Sequence, residues 1–498
     1  MGKAKTIFSG MAWTSIQNAA NMLYGFLAVP FLIGHYGKEE YGLIGLAISI
    51  NAYVTLIDMG MTNSNVRFFS EYLARDDMER VQRLFNLTHL FYLIIGIINT
   101  VVLLVVSLFV GNLFKVTPDQ AITLRNLIWI LAINATFSWI SVCFDQLLRA
   151  NDLIDWIKRR ATFLKLMLFV VLFCAISFDW PIEWYFFGMT FMGTLILPWT
   201  IVKAKRVLPE LKHAFGFDKE LFHTVFPYAI SVFSFSIFNF LVVSSRPIFL
   251  GNMIGPGAVA EFNVISGIAS VVTVFTHSIL TVLLPVLTKM KVQSDHAGIQ
   301  TIVMQGTKYI TIFISGMVFA ISLSAPELLT LYVGEEFRAL SPWLILWLLV
   351  LLLNHRNVMT ALVLTERKLT SVTIMAASAM VAAFAGYFFL TPIIGVGGVV
   401  VGWAIHEIIH TLFYYSYFLP KRFNIGTRSV FFLSVLPSWL VFGLIAIGIY
   451  YAFMGIEQLW SALLIKSAVF GVLFLLLTWF AVLNKNDKVL LMSIVKNN

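Results

Sequence analysis

Charge is what this sequence has least of. Of its 498 residues only 12% are charged, while 59% are hydrophobic and the mean hydropathy is +0.87. A soluble domain carries about 25% charged residues, so this chain lacks the polar surface that a soluble protein needs. Cysteine is scarce as well. Cys143 and Cys174 both fall in apolar stretches, where they are expected to pack as small apolar side chains rather than to form a disulfide. No Gly-x-x-x-x-Gly-Lys-Ser/Thr loop occurs, so the chain is not itself a P-loop ATPase. Nor is there a sizeable polar loop in which a metal-dependent glycosyltransferase would place paired aspartates. The expectation is a non-enzyme with no cofactor.

What the sequence has in abundance is apolar stretches separated by short polar turns. A membrane helix needs about 20 mostly apolar residues to cross a core of about 30 Å, and about fourteen stretches meet that length. They are expected at 8–34, 41–69, 84–110, 121–147, 161–178, 184–207, 221–251, 258–287, 301–325, 341–363, 370–391, 395–419, 429–453 and 459–483. The predicted fold class is therefore an all-α polytopic membrane protein with its function inside the helix bundle. The longest stretches exceed one perpendicular crossing and are expected to tilt or protrude. The basic N-terminus Met1–Phe8 enters a long helix without a small-residue cleavage site, so it is expected to stay uncleaved. Met1 to Thr6 matches the myristoylation pattern formally, but a chain with this many spans gains nothing from one acyl anchor.

The net charge of +9 is explained by where Lys and Arg lie. Every second loop is basic, with Arg75, Arg80 and Arg83, then Lys158, Arg159 and Arg160, then Lys203, Lys205 and Arg206, and so on to Lys485 and Lys488. The other side receives only Lys38, Lys115, Arg125, Arg338 and Lys466. By the positive-inside rule both termini are cytoplasmic and the number of spans is even. The basic excess is thus topogenic, and no nucleic-acid partner is expected.

A repeat lies six spans apart. Pro30-Phe31-Leu32-Ile33-Gly34 closes the first span and Pro247-Ile248-Phe249-Leu250-Gly251 the seventh, each followed by a Gly-containing turn and a long helix. An even separation gives two halves of the same topology, related by an axis along the membrane normal. The expected division is 1–210 for the first six spans, 211–425 for the next six, and 426–498 for two appended spans.

Polar residues at helical spacing in an apolar helix mark a face that avoids lipid. The second span carries Asn51, Thr55, Asp58, Thr62 and Asn65 at steps of four, three, four and three. The eighth, in the equivalent place, carries Asn263, Ser266, Ser270, Thr273, His277 and Thr281. Thr14, Asn18, Asn21 and Gly25 align in the first span, Ser236, Asn239 and Arg246 in the seventh, and Asn134, Ser138, Ser141, Asp145 and Arg149 in the fourth. Hydrogen bonding between helices accounts for any one stripe; paired stripes in both halves point to a water-filled cavity. Charges inside the spans add to this. Arg246 lies in the outer part of the seventh, His355 and Arg356 deep in the tenth, and His406, Glu407 and His410 near the middle of the twelfth. A charge at mid-bilayer costs about 2.5–3.5 kcal/mol on insertion scales, so each needs a partner, water or a ligand. For Arg356 two readings stand: an ion pair with Glu407, or contact with an anionic substrate, since the guanidinium fork fits phosphate. His406 and His410 read as hydrogen-bonding groups or as part of an ion-coupling cluster; with no third ligand evident they are not a metal site.

The run Tyr41-Gly42-Leu43, Ser49 and Asp58-Met59-Gly60, following Pro30, Gly34 and Gly37 and leading to Arg67-Phe68, resembles the opening of the Wzx-type polysaccharide flippases of the multidrug/oligosaccharidyl-lipid/polysaccharide exporter superfamily. The first two spans carry the specific part; length and hydropathy match throughout. The resemblance implies two six-helix lobes around a central cavity, alternating access, and a polyprenyl-diphosphate-linked oligosaccharide moved from the cytoplasmic to the periplasmic leaflet of the inner membrane. The expected partners are that glycan lipid, the bilayer and other polysaccharide assembly proteins. Fourteen spans is also the pattern of peptidoglycan-precursor flippases, so lipid II stays open, as does a multidrug antiporter of the same superfamily, although the cationic excess within the spans counts against it. The expected substrate-binding residues are Arg246, Arg356, His355, Asn51, Thr62, Asn239, Ser270 and His277. The expected ion-coupling residues are Asp58, Glu407, His406 and His410.

Overall fold

Within a bilayer every backbone N–H and C=O must be satisfied inside the protein, which leaves helices as the means by which a chain of apolar runs can cross. In the computed structural model, residues 2–58, 60–212, 214–366, 370–485 and 487–489 are described, without side chains at 2–8, 11, 231, 232, 235, 236, 277–282 and 285. Among these residues there are helices and no strand. Thirteen helices among them are long and apolar enough to cross a membrane. The remaining expected span, at 221–251, is helical as well, over Lys219–Ser244 and Arg246–Met253. The protein is an all-α, multi-pass membrane protein. Its exterior agrees: on the helix Met78–Leu108 the residues Ile94, Ile97, Ile98, Val101, Leu104, Val105 and Leu108 are all exposed. In water that would be a large sticky patch; in a bilayer it is the lipid face.

The elements used below are α1 (Gly2–Tyr36), α2 (Lys38–Val54), α3 (Met61–Ala74), α4 (Met78–Leu108), α5 (Pro118–Ala150), α6 (Ile154–Ser177), α7 (Ile182–Thr194) and α8 (Ile196–Val207). They continue with α9 (Lys219–Ser244), α10 (Arg246–Met253), α11 (Pro256–Val292), α12 (His296–Leu323), α13 (Ser341–Leu351) and α14 (Asn357–Val363). The last four are α15 (Thr370–Ile394), α16 (Val396–Phe413), α17 (Leu436–Ala452) and α18 (Leu459–Leu477). By internal contacts the chain divides into one unit of Met1–Asn263 with Thr391–Gly395, and a second of Val264–Leu390 with Val396–Asn498.

In the first unit α4 and α5 pack along a close seam. A Cβ on Gly96 would sit 2.8 Å from the Thr136 Cα, and the Thr100 hydroxyl bonds the Ala132 carbonyl at 3.0 Å and the Thr136 hydroxyl at 3.1 Å. Small and hydroxylated residues at the seam are what lets two apolar helices associate without a hydrophobic driving force. α1 joins α7 through the Tyr24 and Tyr185 hydroxyls, 2.8 Å apart. α2 meets the start of α11 with no side chain between them, at Gly42 against Pro256. Two contacts hold that approach: Lys38 Nζ to Glu261 Oε1 at 2.5 Å, and the Gly257 N–H to Glu39 Oε2 at 2.9 Å.

In the second unit α15 and α16 make the same kind of seam, where a Cβ on Gly386 would lie 2.7 Å from the Gly402 Cα. The last two spans are packed into the second unit. α17 and α18 pack on α12, with Phe474 against Gly316 and with Phe442 and Phe470 buried. Lys466, expected at an outer span end, is 3% exposed and bonds Glu327 Oε1 at 2.6 Å. A sequence window places a lysine by hydropathy alone and cannot see the carboxylate on another helix that lets it be buried.

Two expected spans are interrupted. The second does not run as one helix: α2 ends at Val54, Thr55–Asp58 forms a 3-10 turn, Gly60 adopts a left-handed φ of 78°, and α3 starts at Met61. Glycine is needed there twice over, because a Cβ on Gly60 would also lie 2.5 Å from the Ala229 carbonyl oxygen. The tenth span is broken by a 3-10 turn at Leu352–Arg356 between α13 and α14. Non-helical backbone at membrane depth survives where it is buried in protein or lines a cavity, and both breaks carry a charged residue expected at the functional site, Asp58 and Arg356.

Candidate functional site

The break after α2 redirects the polar residues that follow it. Asp58 turns back over the start of α3, accepting the Thr62 N–H at 3.3 Å and the Thr62 hydroxyl at 3.1 Å. Its Oδ1 also accepts the Tyr92 hydroxyl from α4 at 2.7 Å. Gln146 of α5 closes the circuit, donating to the Tyr92 oxygen at 2.6 Å and the Thr62 oxygen at 3.1 Å while accepting from the Asn65 amide at 3.0 Å. Tyr92 and Asn65 are fully buried. The five-residue stripe read from spacing is therefore not one continuous helix face: Asn51 lies on α2, Thr55 opens the 3-10 turn, and Asp58, Thr62 and Asn65 join a network with Tyr92 and Gln146.

Buried polar networks act as units, and orphaning one member costs about 1–3 kcal/mol. Asp58→Ala is expected to lower the thermal midpoint measurably, since it leaves the Tyr92 hydroxyl and the Thr62 N–H without their acceptor. Asp58→Asn keeps an acceptor and is expected to lose less stability while removing the charge. Thermal unfolding in detergent for both variants checks this, and equal stability of Asp58→Ala and wild type would contradict the network.

Beside this network lies a cavity of about 360 Å³ bordered by α2, α4, α5 and α7, with Asn51, Asn99, Asn134, Ser138, Trp139 and Thr194 among its walls. Asn51 is thus at a cavity wall. Thr62 is half-buried and bonded to Asp58 and Gln146. Asn239 and Ser270 are exposed, Ser270 bonding the Gly267 carbonyl at 2.6 Å within its own helix. The side chain of His277 lies outside the described residues. Arg246 opens α10 and is 4% exposed.

The second unit brings together four of the expected residues. Arg356 of the 3-10 turn forms an ion pair with Glu407 of α16, and its Nη1 also bonds the Glu407 carbonyl oxygen at 3.2 Å. His406 Nδ1 lies 3.2 Å from Glu407 Oε1, and the His406 and His410 rings are 4.3 Å apart. The Arg356 side chain is 11% exposed and that of Glu407 6%. Both of these Arg356 contacts use Nη1 of the guanidinium. His355 is placed differently. It is fully buried, with Nδ1 2.8 Å from the Leu352 carbonyl oxygen and Nε2 2.9 Å from the Tyr415 hydroxyl. Both ring nitrogens are thus engaged within the protein, and His355 holds the turn in shape. Among the described residues no three His, Cys, Asp or Glu side chains converge as metal ligands.

Sequence spacing missed Tyr92, Asn99, Gln146, Trp139 and Thr194. A stripe is read along one helix, and these residues complete sites begun on another. The signal was an amide within an apolar stretch, such as Asn99 in the apolar second half of α4 and Gln146 between Phe144 and Leu147 of α5, beside Asp145. Asp145, placed in the α5 stripe, pairs instead with Arg160 at 2.8 Å.

Residues 7–291 match the profile of the family described as polysaccharide biosynthesis protein. No curated protein matches the sequence. Among solved structures the chain is similar in fold to the lipid II flippase MurJ in its inward closed conformation, with a TM-score of 0.74, 13% identity, and 94% of this chain and 98% of that one covered. It is also similar to the inward-facing conformation of a multidrug resistance MATE family transporter of the MOP superfamily, with a TM-score of 0.60, 15% identity and coverage of 81% and 96%. A MOP superfamily transporter from Pyrococcus furiosus matches with a TM-score of 0.55, 15% identity and coverage of 82% and 93%.

Proposed function

The chain belongs to the polysaccharide biosynthesis protein family, and from that premise we propose that it is a flippase. Its cargo is a polyprenyl-diphosphate-linked oligosaccharide, moved by alternating access from the cytoplasmic to the periplasmic leaflet of the inner membrane. Both termini are cytoplasmic, and residues 1–210 and 211–425 act as the two lobes, with 426–498 appended. Other polysaccharide assembly proteins supply and consume the cargo.

The observation that carries this reading is the Arg356–Glu407 pair in the break of a membrane-spanning helix. A guanidinium there can exchange a carboxylate for a diphosphate, for which its donor fork is suited. Protonation of Glu407, or a cation bound to it, would weaken its hold on Arg356 and free the fork. His406 and His410 adjoin Glu407 and serve as relay groups in the same step. Arg246 adds a second cation, Asn51, Thr62, Asn239, Ser270 and His277 contact the glycan, and Asp58 is a second coupling site. His355 supports the turn that presents Arg356. MurJ is a lipid II flippase, and lipid II shares the polyprenyl diphosphate, so the same chemistry covers that cargo.

The test is transport by the purified full chain in liposomes. A polyprenyl-diphosphate-linked saccharide placed in one leaflet should reach an impermeant glycan-oxidising reagent on the other side in a protein-dependent manner. Uptake of a cationic dye, with no movement of the glycan lipid, would assign the chain to the multidrug class instead.

A further inference from the structure

We propose that the seam between α6 and α8 holds the headgroup of an anionic phospholipid, in the leaflet on the basic side of the protein. The proposal does not depend on the cargo. The two helices belong to successive spans, Ile154–Ser177 and Ile182–Val207, joined by a short turn. The start of α6 and the end of α8 therefore lie at the same membrane surface. A buried anchor fixes them there. The Arg160 guanidinium donates to the Thr200 hydroxyl of α8 and pairs with Asp145 of α5 at 2.8 Å. Three aromatic rings cluster at this anchor. Trp156 of α6 and Trp199 of α8 meet edge to face at 5.8 Å, and Phe163 of α6 meets Trp199 at 6.1 Å. Two cations contact Trp156: the Arg160 guanidinium at 5.1 Å from the ring centre and the Lys203 ammonium of α8 at 6.0 Å.

Charge and exposure together point to a lipid. Arg83, Arg159 and Arg160 each have a carboxylate partner, in Asp218, Asp155 and Asp145. Lys203 forms no ion pair among the described residues and is half-buried against Trp156. Arg159 is exposed, and its pair with Asp155 at 3.3 Å is of the surface kind that contributes little. On α6, Arg159, Phe163 and Leu166 recur at steps of four and three, so they share one face. Phe163 and Leu166 are exposed there, as are Trp199 and Val202 on α8. The seam thus has an apolar, outward-facing wall suited to acyl chains. Arg159 and Lys203 stand near the ends of their helices, where long basic side chains reach the headgroup level. A soluble anion would use the two cations and leave the apolar wall bare; a phospholipid uses both.

The test titrates the purified full chain in detergent with phosphatidylglycerol or with phosphatidylcholine of the same acyl chains. Native mass spectrometry counts the lipid bound. Phosphatidylglycerol is expected to bind about thirtyfold more tightly, the effect of two basic side chains at a membrane surface. Lys203→Gln should cut that preference about fivefold, the share of one such side chain. Arg159→Gln added to Lys203→Gln should abolish it. Lys203→Arg keeps the charge and should keep the preference, which separates loss of the site from loss of the fold. Lys205→Gln removes the same charge from another face of α8 and should leave the preference intact. Equal affinity of the wild type for the two lipids would overturn the proposal. So would equal losses from Lys203→Gln and Lys205→Gln, because the attraction would then belong to the net charge of the surface and not to the seam.

Discussion

Replacing Arg356 by alanine is expected to lower both the melting temperature and glycan export, the first by leaving Glu407 buried without its cation. Removing one partner of a buried pair costs about 3–5 kcal/mol, because the remaining charge stays out of water. Glu407 has little means of escape: its side chain is 6% exposed, and its other neighbour is His406 at 3.2 Å. Glu407→Gln in the Arg356→Ala background should recover part of the lost stability, since the orphaned charge is gone. Export separates structure from transport. If Arg356 takes the diphosphate, the double variant regains stability but exports less than Glu407→Gln alone, which lacks only the coupling carboxylate. Arg356→Lys then keeps only part of the activity, because an ammonium retains charge without the planar fork. Export by the double variant equal to that of Glu407→Gln alone would confine Arg356 to a structural role. Thermal scans and export measured on the four variants decide the matter, and a stable, fully active Arg356→Ala protein would exclude both roles.

Gly42→Ala is expected to be the most damaging single-methyl substitution in the first unit. The added carbon would lie 1.9 Å from the Pro256 carbonyl oxygen, 2.5 Å from its carbon and 3.1 Å from its Cα. These are backbone atoms, so no rotamer relieves the overlap, and α2 and α11 must part. Overpacking of this kind costs typically about 1–3 kcal/mol and occasionally more. The same movement would also stretch the Lys38–Glu261 and Glu39–Gly257 contacts. Gly45→Ala meets the Asn263 amide nitrogen at 2.1 Å; that group ends a flexible side chain, so a smaller loss is expected. Gly25→Ala meets nothing within 4 Å and serves as the neutral control. Thermal unfolding should rank the three as Gly42, Gly45, Gly25 in decreasing severity. A Gly42→Ala protein as stable as the Gly25→Ala control would mean that α2 and α11 do not meet as described.

The glycines show how a feature can be visible in the sequence without its cause. Gly42 and Gly60 belong to the run that resembles the polysaccharide flippases, yet nothing in the run says what approaches them. Pro256 and Ala229 do, from residues far along the chain. The polar stripes behave likewise. Spacing marked Asn51, Asp58 and Thr62 as avoiding lipid, but a period of three and four assumes an unbroken helix, and Gly60 breaks it. The titratable cluster was legible in its members, since Arg356, Glu407, His406 and His410 are conspicuous in apolar runs, and an Arg356–Glu407 pair stood as one of two readings.

By itself the sequence determined the fold class, the approximate places of the spans and the family resemblance. Each of these rests on local quantities: apolar length against bilayer thickness, and short motifs within two spans. Only the tertiary structure decided which polar groups satisfy one another. Asp58 with Tyr92 and Gln146, Lys466 with Glu327, His355 with Tyr415 and Asn134 with Thr194 each join residues on separate helices. A lone polar group in hydrocarbon must find a partner, but the choice of partner depends on how the helices pack, and that is settled by contacts between distant parts of the chain.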